Sequence, residues 1–200
     1  MGPMSSPRSL PRGRHRLSRE TVAESQRERM LDAICELVAR HGYAGTTVGG
    51  IAATAGVSRT TFYEQFETKE DCFRAAYDNV AEKLVDAISS ASAGIEDKRA
   101  QLAAGIDAYL GWFAQHPHAA ATFIVEVHTA GPEALEQRSN VLERFCQVID
   151  ANAPETRAAA SMAVVSSIDA MAHELVRKGR AGDLRELAKP ARYVAEKLLT

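Results

Sequence analysis

The stretch Thr47-Val-Gly-Gly-Ile-Ala-Ala-Thr-Ala-Gly-Val-Ser-Arg-Thr-Thr-Phe-Tyr-Glu-Gln-Phe66 decides how the N-terminal part of this chain folds. Thr46 or Thr47 can cap a helix barely two turns long that turns Val48, Ile51, Ala52 and Ala55 inward, and Gly56 offers the positive φ that ends it. Ser58 can cap a second short helix with Phe62 and Phe66 on one face. The small Ala52 lets the two helices cross closely while Val57 and Phe62 fill the angle between them, so the pair reads as a rigid helix-turn-helix wedge. The wedge exposes Ser58, Arg59, Thr60, Thr61 and Tyr63, which all form hydrogen bonds and include no acid. A helix N-terminus suits phosphates, and Arg and Thr suit base edges and the thymine methyl. By chemistry this is a recognition helix, although two-helix corners with polar outer faces also occur in all-α proteins of other function.

Working outward, Thr21-x-x-Glu24 and Ser25-x-x-Glu28 both have the capping-box form, which predicts a helix start between 21 and 26. Leu31, Ile34, Cys35 and Val38 continue it at helical spacing, and Gly42 stops it after His41. Downstream, Thr68-x-x-Asp71 caps a helix from Lys69 through Phe73, Ala76, Tyr77, Val80 and Leu84 to about Ser89. Apolar periodicity returns from Ile95 to Phe113 and breaks at His116-Pro117. Further helices are expected near 119–130, 133–150, 155–178 and 184–199, and no strand pattern competes.

In order, TTV-x-x-IA-x-x-AGVS-x-x-T-x-Y-x-x-F-x-x-KE-x-x-F between about Arg29 and Phe73 resembles the DNA-binding domain of the TetR family of bacterial transcriptional repressors. The resemblance implies an all-α fold: an N-terminal three-helix DNA-binding domain with a helix-turn-helix, then a helical ligand-binding and dimerisation domain. It assigns Thr47, Tyr63 and Lys69 to phosphates and places Ser58, Arg59, Thr60 and Thr61 in the major groove, with Arg59 as the chief base reader. Two departures stand out. Gly49-Gly50 replaces the polar residues common in that helix and weakens its propensity, and Thr60 stands where glycine is frequent. A degenerate head on a helical ligand-binding or scaffolding protein is the alternative that Gly49-Gly50 raises.

For the C-terminal part, the resemblance implies pairing of the last two helices with their copies in a homodimer. Val164, Ile168, Met171 and Leu175 form one stripe and Leu187, Val194 and Leu198 another, while Ala158, Ala159, Ala160 and Ala163 permit close helix approach. Candidate lining for a small-molecule effector is Tyr109, Trp112, Phe113, Phe123 and Met162, with His116 and His128 as polar contacts. The expected partners are a double-stranded DNA operator and an effector of unknown identity. His116-Pro-His118 lacks a third ligand at metal spacing, so neither metal nor cofactor is expected.

Bulk properties agree. Residues 1–74 hold eleven Arg and Lys against nine Asp and Glu, and residues 75–200 hold thirteen against seventeen, so the basic surplus sits with the wedge. Five arginines (Arg8, Arg12, Arg14, Arg16, Arg19) among prolines make residues 1–20 read as a disordered basic arm, with a DNA-binding domain over 21–74 and a helical body over 75–200. No apolar run reaches signal or membrane length, which predicts a cytoplasmic protein. Cys35, Cys72 and Cys146 are scattered and form no ligand pattern. No Gly-rich phosphate loop, HExxH or GxSxG is present, so no enzyme activity is expected.

Overall fold

A computed structural model describes residues 19–152 and 158–199. The arginine-rich stretch before Arg19 lies outside these, as do 153–157. The described residues form nine α-helices and no strand: α1 (Arg19–Gly45), α2 (Val48–Ala55), α3 (Arg59–Gln65), α4 (Lys69–Ser92), α5 (Lys98–Gln115), α6 (Pro117–Ala120), α7 (Pro132–Asn152), α8 (Ala158–Arg177) and α9 (Ala188–Leu199). No helix among the described residues is long and apolar enough to cross a membrane.

Helix α1 is already formed at Arg19, the first described residue and ahead of both capping boxes, because nothing between 19 and 41 breaks a helix and Thr21 and Ser25 are tolerated within it. It kinks at Gly42 (φ 71°, ψ 165°), and one further turn follows. Thr47 and Ser58 cap α2 and α3 as expected, accepting from the Gly50 and Thr61 amides at 3.1 and 2.9 Å. Gly56 is left-handed (φ 65°, ψ 40°), and the Val57 amide returns to the Ala52 carbonyl at 2.9 Å, which closes the turn. A reciprocal box between Thr68 and Asp71 starts α4. The helix then runs unbroken through the expected domain boundary at 74/75.

Two regions of departure sit in the body. The helix expected near 119–130 is instead α6, a π-turn over Ala121–Val125 and a 3-10 turn over Glu126–Thr129. Pro117 starts this segment, and the Thr122 hydroxyl bonds back to the His118 carbonyl at 3.1 Å, which competes with regular α pairing. Before α9, Ala181–Leu187 forms a 3-10 turn, so regular helix begins at Ala188 and not near 184.

The core is continuous from head to body. Met30, Ile34, Ile51, Phe62 and Phe73 fill the head, where Tyr43 meets Phe73 edge-on at 5.1 Å. In the body Tyr77 stacks on Phe123 at 4.4 Å and Phe113 leans against Phe123 at 5.4 Å. All three rings are fully buried, and burial of each contributes about 1.5–3 kcal/mol.

Candidate functional site

The outer face of α3 is built on Phe62, which is fully buried and turns the rest of the short helix outward. Arg59 and Thr60 are exposed, and Tyr63 stands 58% exposed, edge-on to Phe62 at 5.5 Å. Thr61 differs: its hydroxyl lies 2.9 Å from the Ser58 hydroxyl within the cap, so it is committed to the turn. Thr47 is exposed at the start of α2 with its Oγ1 facing the Gly50 amide. Thr47, Ser58, Arg59, Thr60 and Tyr63 are thus all exposed on the head, and Arg59 reaches back to Gly49 of α2.

Lys69, at the start of α4, is engaged within the head. Its ammonium donates to the Tyr43 carbonyl at 3.0 Å and lies 4.0 Å from the Tyr43 ring centroid. The Tyr43 hydroxyl donates to Glu70 at 2.7 Å. That bond holds Glu70 below the usual carboxylate range, while burial and the neighbouring carboxylate push the Tyr43 hydroxyl up. The Tyr43 amide donates to Glu126 of the body at 2.9 Å, joining the two regions through the Gly42 kink.

Three contributors escaped the sequence reading. Arg29 donates to the Ala55 carbonyl at 2.6 Å and caps α2 from below. Tyr43 organises Lys69, as described. The third is Gly49: a Cβ there would lie 2.4 Å from Arg59 Nη2 and 3.2 Å from its Cζ. The glycine that weakens α2 thus opens the slot in which the Arg59 guanidinium rests. Only the crossing of α2 and α3 brings the two together.

In the body, a cavity of about 120 Å³ lies between α4, α5, α7 and α8. Its walls are mainly apolar, with Ile88, Leu102, Ile106 and Phe145 prominent, and Tyr109, Gln101 and Asp169 supply polar groups. Of the expected lining residues only Tyr109 reaches it. Trp112 instead stacks on His116 at 4.2 Å, and the His116 ring nitrogen lies 2.7 Å from the Trp112 carbonyl. Phe113 and Phe123 pack the core beside Tyr77, His128 is exposed with its ring 5.9 Å from that of His173, and Met162 is exposed on α8. The reason is position along the helix. Leu102, Ile106 and Tyr109 follow one face of α5 along the cavity, and Trp112 and Phe113 continue that face beyond the cavity's end.

Asp169 is the one charged residue among the described residues lining this cavity. Its Oδ2 accepts from Arg138 Nη2 at 2.5 Å, with both side chains largely buried. Val164 and Ile168, expected at a subunit interface, are buried in the chain's own core, Ile168 on the cavity wall. Met171, Leu175, Leu187 and Val194 are half-buried and Leu198 is 41% exposed.

Residues 30–76 match the family described as bacterial regulatory proteins, tetR family. Over 106 residues the chain is 27% identical to the HTH-type transcriptional activator FasR of Mycolicibacterium smegmatis, a match covering 53% of this chain and 48% of that protein. The chain thus spans about half the length of that relative. Among solved structures, the fatty acid degradation regulator FadR of Bacillus halodurans superposes with a TM-score of 0.78 at 23% identity, covering 85% of this chain and 94% of that one. FadR of Bacillus subtilis, in complex with stearoyl-CoA, superposes at 0.75 with 20% identity, covering 86% and 97%. These two share the fold. The head of the chain, residues 30–76, thus matches the tetR family of bacterial regulatory proteins, and the chain as a whole shares the fold of these solved regulators.

Proposed function

We propose that this transcription regulator is a repressor that grips a palindromic operator as a homodimer and is released when a small molecule enters the cavity of the body. The carrying observation is the α3 face, where Arg59, Thr60 and Tyr63 are exposed on a helix anchored by buried Phe62 and capped by Ser58. Arg59 reads a base, Thr47 and Tyr63 hold phosphates, and Lys69 joins them by keeping its Tyr43 contact while its remaining N–H groups face the backbone. Ser58 and Thr61 set the start of the recognition helix.

Dimerisation buries the apolar groups that one chain leaves partly uncovered: Met171 and Leu175 on α8, Leu187 before α9, and Val194 and Leu198 on α9. Pairing there sets the two recognition helices one or more DNA turns apart, each turn being about 34–36 Å. The apolar walls between α4 and α8 suit an aliphatic or acyl body, in line with the stearoyl-CoA described with the Bacillus subtilis neighbour. Tyr109 is the lining residue retained from the expected set. A ligand preferring the released arrangement lowers operator affinity by its differential affinity for the two states.

The test is fluorescence anisotropy of the full chain on fragments of its own upstream DNA. Arg59→Ala is expected to weaken the specific complex about 10–100-fold, the worth of a bidentate base contact. Equal binding by wild type and variant, or a strictly monomeric particle in sizing chromatography, overturns the reading.

A further inference from the structure

We propose that the cavity between α4, α5, α7 and α8 takes an apolar molecule whose inner end carries a neutral hydrogen-bond donor, a hydroxyl or amide N–H, received by Asp169. The inference rests on the reading of this cavity as the effector site. It starts from two oxygens on the cavity-lining residues. Asp169 on α8 gives Oδ2 to Arg138, yet its Oδ1 is buried with no hydrogen-bond partner. Gln101 on α5 likewise holds a buried Oε1 with no partner. Unsatisfied buried acceptors are uncommon in folded proteins, and each favours a donor brought to it.

The surroundings fix what kind of donor this is. Arg138 balances the charge of Asp169 from behind, toward Tyr77, and does not itself line the cavity. The pair is neutral as a whole, so a neutral donor satisfies Oδ1 without importing an unbalanced charge. A carboxylate head placed at Asp169 would meet a carboxylate oxygen, and no basic residue among the described lining residues would receive it. A plain methyl end would leave Oδ1 orphaned. The remaining wall, with Ile88, Leu102, Ile106 and Phe145, rewards an aliphatic body.

Three probes separate these cases: 1-octanol, its isomer 1-methoxyheptane, and octanoate, each titrated calorimetrically into the full chain. The alcohol is expected to bind at least about tenfold tighter than either, the worth of one hydrogen bond to a charged acceptor. In Arg138→Met with Asp169→Leu, where apolar side chains replace the ion pair, the preference over the ether is expected to vanish. Buried pairs commonly tolerate such replacement. Should that variant fail to fold, Asp169→Asn, which can keep its oxygen on Arg138 and present an NH2 in place of the Oδ1 acceptor, is expected to reduce the preference several-fold. Ether or octanoate binding as tightly as the alcohol overturns the inference, as does a preference unchanged in the variants. Each titration is repeated with labelled upstream DNA present. Alcohol preference without any change in DNA affinity supports the inference and sinks the effector reading; DNA release by ether and alcohol alike does the reverse. Binding by none of the three sinks both.

Discussion

Gly49→Ala is the most informative single change in the head, because two effects act on it and Gly50→Ala separates them. Both substitutions add helix propensity to α2, worth at most about 1 kcal/mol in a helix interior and roughly half that so near the first turn. At Gly50 a new Cβ would meet only Leu37 Cδ1 and Thr47 Oγ1, each at 3.4 Å, which is ordinary contact. At Gly49 it would stand 2.4 Å from Arg59 Nη2. The atom that must yield ends a long exposed side chain, so the fold adapts and Arg59 swings out. Both variants are therefore expected to melt about 1–2 °C higher, given about 2–4 °C per kcal/mol for a chain of this size. Operator binding should part them. The stowed guanidinium is not available to a base edge, and if it is stowed roughly half to two-thirds of the time, freeing it tightens binding about two- to threefold. Anisotropy titrations of wild type, Gly49→Ala and Gly50→Ala, each with and without Arg59→Ala, measure this. Equal affinity changes in the two alanine variants, or a Gly49→Ala effect that survives in the Arg59→Ala background, would refute the reasoning.

Three further outcomes are expected. Ser58→Ala removes the hydroxyl that accepts from the Thr61 amide and should lower stability by about 1 kcal/mol in chemical denaturation, with Ser58→Thr retaining most of it. Glu126→Ala strips the Tyr43 amide of its partner and should cost about 1–3 kcal/mol; faster hydrogen exchange at that amide would locate the loss. Burial pushes the Cys35 thiol to about 11 and that of Cys72 to about 12, and raises the Tyr43 hydroxyl as well. These groups keep their protons longer in the folded chain than in the unfolded one. Their contribution is thus complete below the ordinary thiol value of 9.0 and is lost as pH climbs through the raised ones. Tm should fall progressively above about pH 9, less steeply in Cys72→Ala; a Tm flat to about pH 11 would contradict the assignment.

What could be read from residues alone follows the range of the interactions. The wedge was legible because its determinants are local: Thr47 and Ser58 sit at cap positions, Gly56 turns the chain, and Phe62 marks the buried side. Helix α1 was mistimed by its own signals, since Thr21 and Ser25 resemble caps without any breaker to make them so. The cavity was hard to read because it depends on the relative phase of four helices. Choosing aromatic residues selected Phe113 and Phe123, which fill the core, whereas Ile106 and Phe145 form the wall. One signal was available: Asp169 is an acid between Ile168 and Met171 on an apolar stripe, a placement that calls for a partner. Val164 and Ile168 share that stripe, and a sequence cannot say whether such residues face their own chain or a copy of it.

Helix α4 gives its two ends no independence. Phe73 is locked into the head core near one end, and Ile88 and Ser92 border the cavity near the other. At 1.5 Å per residue its 24 residues make a rod of about 36 Å. A tilt of only about 5° carries the far tip of such a rod some 3 Å, approximately the rise of one base pair. On the proposed function, angular tolerance at the cavity wall would be converted into reading register at the duplex.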